Sequence, residues 1–93
     1  MSESPTGGRT IRLVYFAWVR ERIGLSEEIV SPPAEIGTVR ELARWLKGRG
    51  EGYETAFADE NVVRAAIDRS HAKPDGAIAG ASEIAFFPPM TGG

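Results

Sequence analysis

Hydrophobic and polar positions alternate in the stretch "TIRLVYFAWV" near the start of the chain. A period of two is typical of a strand with one buried face, so this stretch predicts the first β-strand. The residues predicted to face inward are Ile11, Leu13, Tyr15 and Ala17. The next segment, "WVRERIG", is compatible with a short helix that ends at Gly24. "SEEIVSPP" then predicts a second strand, which Pro32 and Pro33 stop because proline has no N–H for the sheet ladder.

The clearest helix signal is "TVRE", a capping box. Thr38 accepts a hydrogen bond from an early backbone N–H, while Glu41 reaches back to the cap. Apolar residues follow at the spacing of one helix face, namely Val39, Leu42, Ala43 and Leu46. These signals predict the main helix, with its end near residue 49. In "GYETAFADEN", Tyr53 and Phe57 lie four apart and indicate a short helical turn against the core.

The remaining strands complete the fold. "VVRAAID" predicts a strand with Val63, Ala65 and Ile67 facing inward, and "EIAFF" predicts the final strand with Ile84 and Phe86 on one face. A short edge strand is expected around residues 77–79. Strands at both ends with one long helix between them predict an α+β fold of the β-grasp kind, with a mixed sheet of four to five strands and one main helix.

A sheet covered by one helix leaves its other face open. The outward positions of the first and last strands include Val14, Phe16 and Phe87. A cluster of apolar side chains on an open face is typical of a docking surface. The alternative is that these side chains are scattered and singly exposed, or that the short helices cover them.

With 93 residues, the chain has the length of one domain with one modest core. We expect a flexible N-terminal tail over residues 1–9, the domain over 10–88 and an extended C-terminal tail over 89–93. The formal net charge is −2, which gives no general attraction to nucleic acid. No apolar run reaches the ~20 residues of a membrane-spanning helix, so a cytoplasmic location is expected.

Side chains offer little candidate chemistry. The chain has no cysteine, and His71, its one histidine, lies in a turn-rich region without an obvious second ligand. "KGRGEG" follows a helix, whereas a phosphate-binding loop must precede one. We therefore expect no metal site, no bound cofactor and no nucleophilic catalytic group in the folded body.

The C-terminal stretch "FFPPMTGG" is the exception. Pro88 and Pro89 end the sheet ladder and direct the chain outward in a stiff, extended form. From residue 89 to residue 93 an extended chain reaches about 13–14 Å, which is the depth of an enzyme pocket. Gly92 and Gly93 have no Cβ, so this backbone could enter a passage too narrow for other residues. The alternative is a soft terminus without a role.

Chemistry at this end would use the terminal carboxylate. A carboxylate resists nucleophilic attack, but transfer to the α-phosphate of ATP would give an acyl-adenylate with a good leaving group. A sulfur donor could then form a C-terminal thiocarboxylate. Such a group carries sulfur without any cysteine.

"EIAFFPPMTGG" closely resembles the C-terminal strand and tail of the molybdopterin synthase small-subunit family, which consists of ubiquitin-like sulfur carriers. "IRLVYFAWVRERIG" and "TVRELARWL" resemble the family's first strand, short helix and main helix. The resemblance covers residues 11–93 and is weaker between about 48 and 80.

The resemblance implies that an E1-like adenylating enzyme uses ATP to activate Gly93, which is then sulfurated. The thiocarboxylate would donate sulfur to cyclic pyranopterin monophosphate to build the molybdopterin dithiolene. The partner would be the large subunit, in a heterotetramer whose catalytic side chains lie on that subunit. Gly92 would be the slim neighbour of Gly93, while Met90 and Thr91 would contact the partner along the tail. Phe16 and Phe87 would belong to the docking surface.

Three alternatives remain open at the level of the sequence. A carrier for thiazole synthesis or another sulfur acceptor would share the Gly-Gly end. A ubiquitin-like modifier would use the same end to form an isopeptide bond with a target lysine. A β-grasp binding module with an inert tail would not need Gly92 or Gly93.

Overall fold

The computed structural model describes residues 9–59 and 62–89. The elements in chain order are β1 (Ile11–Tyr15), α1 (Ala17–Ile23), β2 (Glu27–Val30), α2 (Val39–Lys47), α3 (Glu51–Ala56), β3 (Arg64–Ile67), β4 (Ser70–Ala72) and β5 (Glu83–Phe87). No helix in these ranges is long and apolar enough to cross a bilayer. Apart from Arg9 and Pro89, the two predicted tails, 1–9 and 89–93, lie outside the described residues.

The five strands form one sheet in the order β2-β1-β5-β3-β4. β1 and β5 pair in parallel at its centre, and the other neighbouring strands pair antiparallel. The α+β prediction of a mixed sheet with one main helix is confirmed. Because β5 is the central strand and the last one, the sheet holds the chain firmly up to the point where the C-terminal segment begins.

The core lies between the inner face of the sheet and the helices. The alternation predicted for β1 is observed, since Ile11, Leu13 and Tyr15 are buried. Phe57 and Phe86 are also buried, and their rings meet edge to face with centroids 5.0 Å apart. The inward placement predicted for Ala17 is wrong. This residue begins α1 with a φ of 53° and is exposed, because the chain leaves the sheet after Phe16.

The capping box at the start of α2 is present with a shift of one residue. Thr38 Oγ1 accepts a hydrogen bond from the Glu41 N–H at 3.1 Å, as predicted. Glu41 Oε1 accepts from the Gly37 N–H at 2.7 Å rather than from the Thr38 N–H. Val39, Leu42 and Leu46 are buried, so the predicted helix face is the one that packs on the core.

The short edge strand predicted at residues 77–79 is wrong. Ala77 makes only an isolated bridge to Thr38, and the edge strand is β4. Asp68 and Arg69 connect β3 to β4 with φ values of 48° and 74°, which is the left-handed geometry of a tight two-residue hairpin turn. Asp68 Oδ1 fixes this turn by accepting hydrogen bonds from the N–H groups of residues 82 and 83. The turn contains no glycine, so its usual sequence signal is missing.

A polar cluster joins β1, β2 and α3. Glu28 Oε2 accepts hydrogen bonds from the hydroxyl groups of Tyr15 and Tyr53 at 2.8 and 2.6 Å. Arg49 Nη2 lies 3.8 Å from Glu28 Oε1. Burial raises the pKa of Tyr15 well above its ordinary value, and the hydrogen bond to the Glu28 carboxylate adds to that effect.

We expect this cluster to make folding stability decrease at alkaline pH. Tyr15 keeps its proton in the folded state, whereas unfolded tyrosine loses it near pH 10. The contribution of Tyr15 to the free energy of unfolding is complete below about pH 10. It falls by up to about 1.4 kcal/mol for each pH unit above that value. Urea unfolding of the wild type and of Tyr15→Phe at about pH 8, 10 and 11 measures this pH dependence of the free energy of unfolding.

Tyr15→Phe should be less stable at neutral pH, because Glu28 loses a donor, but its stability should decrease less between about pH 10 and 11. Tyr53→Phe is the comparison variant, because burial and the same carboxylate raise the pKa of Tyr53 as well. Since Tyr53 is more exposed than Tyr15, Tyr53→Phe should keep more of the alkaline loss than Tyr15→Phe. Equal alkaline loss in the wild type and Tyr15→Phe would contradict the assignment to Tyr15.

Candidate functional site

The face of the sheet opposite the helices is open. The strand register places Val14, Ala85, Ala66 and His71 side by side across β1, β5, β3 and β4. None of the four is fully buried. We call these four residues, together with Phe16 and Phe87, the open face. Since two alanines occupy its middle, the centre is shallow and apolar and can accept a partner's side chains.

The two aromatic residues predicted for this surface lie on it. Phe87 is half-buried at the end of β5, and its ring meets the His71 ring edge to face with centroids 5.5 Å apart. Phe16 keeps extended backbone angles one residue beyond β1, on the side of Val14, and 47% of its surface is exposed. Its N–H donates to the Phe86 carbonyl, which holds it beside β5. Exposed aromatic side chains on an ordered backbone are the type of residue that anchors protein–protein interfaces.

The candidate reactive end begins beside this aromatic pair. β5 ends at Phe87, and Pro88 and Pro89 follow with trans peptide bonds. Parallel pairing makes β1 and β5 end at the same edge of the sheet, so Phe16 lies at the edge from which residue 88 continues. Met90, Thr91, Gly92 and Gly93 lie outside the described residues, and their predicted roles stay predictions.

Charged residues border the other end of the open face. Arg12 pairs with Glu27 on β2 and lies 3.7 Å from Glu83 on β5. The hydrogen bond to Glu27, reinforced by its charge, raises the pKa of Arg12 above its ordinary value. Ile29, opposite Arg12 on β2, has 69% of its surface exposed. The tail end of this side of the sheet therefore carries Phe16 and Phe87 with Arg64, which pairs with Phe87 in the register. The far end carries the Arg12, Glu27 and Glu83 group beside the exposed Ile29.

Sequence reasoning missed two contributors to this surface. The sequence places His71 in a turn-rich region, but it lies on β4 and its ring contacts Phe87. The β3–β4 turn contains no glycine, so the sequence gives no signal of the hairpin that carries His71. The sequence pattern does not tell which of Ile29 and Val30 faces the core; in the structure Val30 is buried and Ile29 is exposed. Only the register Ile11↔Val30 decides which of the two faces the core, and "EEIV" does not contain that information.

The described side chains of the open face are mainly apolar, which is the character of a binding surface. Within residues 9–59 and 62–89, no group of three His, Asp or Glu side chains could hold a metal ion. What the arrangement can do is present an apolar surface and hold the start of the C-terminal segment at its aromatic end.

Comparisons with known proteins identify the family and the fold. The model of the ThiS family matches residues 13–93. The chain is 31% identical over 83 residues to the molybdopterin synthase sulfur carrier subunit of Escherichia coli (strain K12), covering 89% of this chain and 99% of that protein. A putative molybdopterin converting factor, subunit 1, from Pyrococcus furiosus has a similar structure, with 26% identity, a TM-score of 0.65 and coverage of 86% and 97%.

The small archaeal modifier protein 1 of H. volcanii has a similar structure as well. The TM-score is 0.68, with 24% identity over 88% of this chain and 99% of that protein. At this identity the likeness shows a shared fold.

Proposed function

Because the chain belongs to the ThiS family, we propose that it is the sulfur carrier subunit of a molybdopterin synthase. The observation that carries the proposal is the 31% identity to the E. coli carrier subunit along nearly its whole length. The aromatic end of the open face supports it, because this surface lies where the C-terminal segment leaves the sheet. The functional group is the carboxylate of Gly93, with Gly92 as its slim neighbour.

The proposed chemistry has three balanced steps. An E1-like adenylating enzyme transfers the Gly93 carboxylate to the α-phosphate of ATP, which forms an acyl-adenylate and releases pyrophosphate. A donor of sulfur at the oxidation level of sulfide displaces AMP and leaves a thiocarboxylate. The thiocarboxylate sulfur then attacks a carbon of cyclic pyranopterin monophosphate and displaces an oxygen substituent of that carbon, which leaves with a proton. Water then hydrolyses the acyl–sulfur bond. The sulfur stays on the pterin, and the Gly93 carboxylate is restored.

The partner would be the large subunit of the synthase, in a heterotetramer. Phe16 and Phe87 would dock on it and align the tail, with Met90 and Thr91 as further contacts. The large subunit would provide the acid–base side chains, while the carrier provides sulfur and orientation.

We expect Phe16→Asp to weaken binding to the large subunit by about 10- to 100-fold, because it puts a charge into an apolar contact. Folding should be retained, because Phe16 is the N-cap of α1 and its side chain makes no capping hydrogen bond. Aspartate is a favourable residue at an N-cap position. Isothermal titration calorimetry with the purified large subunit measures the effect. Ala79→Asp adds the same charge at an exposed site before β5 and should bind normally. If Phe16→Asp bound the large subunit with the same affinity as the wild type, Phe16 would not be part of the interface.

Product analysis tests the function and separates it from the alternatives. Thiocarboxylated carrier, mixed with the large subunit and the cyclic pterin, should yield molybdopterin and regenerate the carboxylate. Formation of a thiazole with the corresponding synthase but no molybdopterin would place the chain in the other sulfur-transfer pathway. A ladder of covalent conjugates in a lysate, detected through an N-terminal tag, would indicate a protein modifier.

A further inference from the structure

The sheet has a free edge at β2, its outermost strand beside β1. The N–H of Tyr15 donates to the Ser26 carbonyl at 2.9 Å, and the register of the two strands continues from there to Val30. Along an antiparallel ladder, residues that bond to the neighbouring strand alternate with residues that do not. Counted from Ser26, the backbone N–H and carbonyl groups of Glu27 and Ile29 therefore point away from β1.

The backbone of β1 gives the same alternation. Arg12 lies opposite Ile29 in the register, and its N–H donates to the Ser82 carbonyl at 2.9 Å, on the side of β5. Because the backbone of Arg12 faces β5, that of Ile29 faces the free edge. Within residues 9–59 and 62–89, no hydrogen bond reaches the outward backbone groups of β2. They form a row of open donors and acceptors with which another strand could pair.

An apolar side chain lies at the centre of this edge. Ile29 has 69% of its surface exposed, more than any other large hydrophobic residue in the described part of the chain. Edge strands usually carry charges or prolines that prevent pairing with another chain. Here Pro32 and Pro33 follow the strand, so an added ladder is limited to residues 27–31. Ser31 continues the outward-facing series, and the proline after it favours an extended backbone.

A second copy of β2 fits this edge in one alignment. A two-fold pairing centred on Glu27 or on Glu28 would set two identical carboxylates directly opposite each other, which destabilises a sheet. A pairing centred on Val30 or beyond would set Pro33 of the second copy, which has no N–H to donate, against an outward-facing residue. Ile29 is the centre that avoids both conflicts.

We propose that two copies of the chain pair through their β2 edges, antiparallel, with Ile29 opposite Ile29. Glu27 then lies opposite Ser31 of the second copy rather than a carboxylate, and its charge is already paired with Arg12. The matched outward residues exchange two backbone hydrogen bonds in each pair, and the two isoleucine side chains cover each other. The two five-stranded sheets become one continuous sheet.

This pairing leaves the aromatic end of the open face uncovered in both copies. The two-fold axis is perpendicular to the sheet, so both open faces lie on the same side. β5 is parallel to β1, so the two copies of β5 run in opposite directions and their C-terminal segments leave at opposite edges of the sheet. The proposal does not depend on the sulfur chemistry at Gly93.

The contact is small, since its ladder spans far fewer residues than the roughly 20–30 a side of a standard interface. We therefore expect weak association, with a dissociation constant of about 0.1–1 mM, in sedimentation equilibrium of the full chain up to about 1 mM. Ile29→Lys should weaken it at least about tenfold, because lysine on an edge opposes pairing and the side chain is exposed in the folded monomer. Leu25→Lys is the matched control, since Leu25 is also exposed but lies outside the ladder, and it should change the constant less than about twofold.

Cross-linking tests the alignment directly, because the chain has no cysteine of its own. In Ile29→Cys the two Cα atoms would lie about 5.5 Å apart, within disulfide reach, whereas in Leu25→Cys they would be more than about 20 Å apart. With oxidised glutathione, which is reduced to two thiols as the disulfide forms, Ile29→Cys should dimerise at least about fivefold faster than Leu25→Cys.

Three results would overturn the proposal. The first is a wild type that stays monomeric at about 1 mM, and the second is equal cross-linking of Ile29→Cys and Leu25→Cys. The third is association that Phe16→Asp abolishes and Ile29→Lys does not, since the copies would then meet through the open face.

Discussion

Deletion of Gly92 and Gly93 should abolish sulfur transfer and leave the free energy of unfolding within about 0.5 kcal/mol of the wild type. Activity should disappear because the carboxylate that is adenylated would then lie on Thr91, too short by two residues to reach the same point in a partner's active site. Stability should persist because the core residues in the described part of the chain lie between Ile11 and Phe86. Molybdopterin yield in the reconstituted reaction and urea unfolding measure the two effects.

The variant Gly93→Trp tests whether the width of the terminal residue matters when the length of the C-terminal tail is unchanged. This variant keeps a terminal carboxylate at the same distance, but its side chain would not pass through a channel that admits glycine. We expect molybdopterin yield to decrease by at least about 100-fold. Deletion of Ser2 and Glu3 shortens the other end of the chain by the same number of residues and should leave the yield unchanged. Full activity of Gly93→Trp would show that the terminal residue does not enter a narrow passage.

The largest expected effect on stability is that of Gly52→Ala in α3. A Cβ at position 52 would lie 2.5 Å from the Arg22 carbonyl oxygen and 3.2 Å from the Ile23 Cα, both in the backbone of α1. Because backbone atoms cannot move away like the end of a side chain, α1 and α3 would have to separate. We expect a loss of about 2–3 kcal/mol, or roughly 10–20 °C in Tm, measured by urea and thermal unfolding.

Gly48→Ala is the control for this prediction. Gly48 has a φ of −80°, and the nearest atom to its added Cβ is the Trp45 carbonyl oxygen at 3.6 Å. The substitution should therefore be neutral or stabilise the protein by up to about 1 kcal/mol. If Gly52→Ala were as stable as Gly48→Ala, the close contact between α1 and α3 would not exist in solution.

Local signals predicted most of the fold. The capping box at Thr38 and the apolar spacing from Val39 to Leu46 place α2 within two residues of its observed end. The alternation of β1 and β5 identifies their buried faces correctly. These features depend on residues close together in the chain, where the period of the pattern identifies the element.

The errors come from geometry that residue types do not encode directly. The β3–β4 hairpin turns at Asp68 and Arg69, and Asp68 accepts hydrogen bonds from the N–H groups of residues 82 and 83. That contact is distant in sequence, so local patterns do not reveal the hairpin and place the edge strand at residues 77–79 instead. Phe16 and Phe87 were predictable as outward residues of strands, whereas His71 and Ile29 needed the register of the sheet.

The most direct test of the account is the mass of the intact protein after incubation with ATP, the E1-like adenylating enzyme and a sulfide-level sulfur donor. We predict a mass increase equal to the exchange of one oxygen for sulfur, located by fragmentation at Gly93 and lost after reaction with the large subunit and cyclic pterin. A mass that stays unchanged with active enzyme, or a sulfur located anywhere other than Gly93, would contradict the claim that the terminal acyl group carries the function.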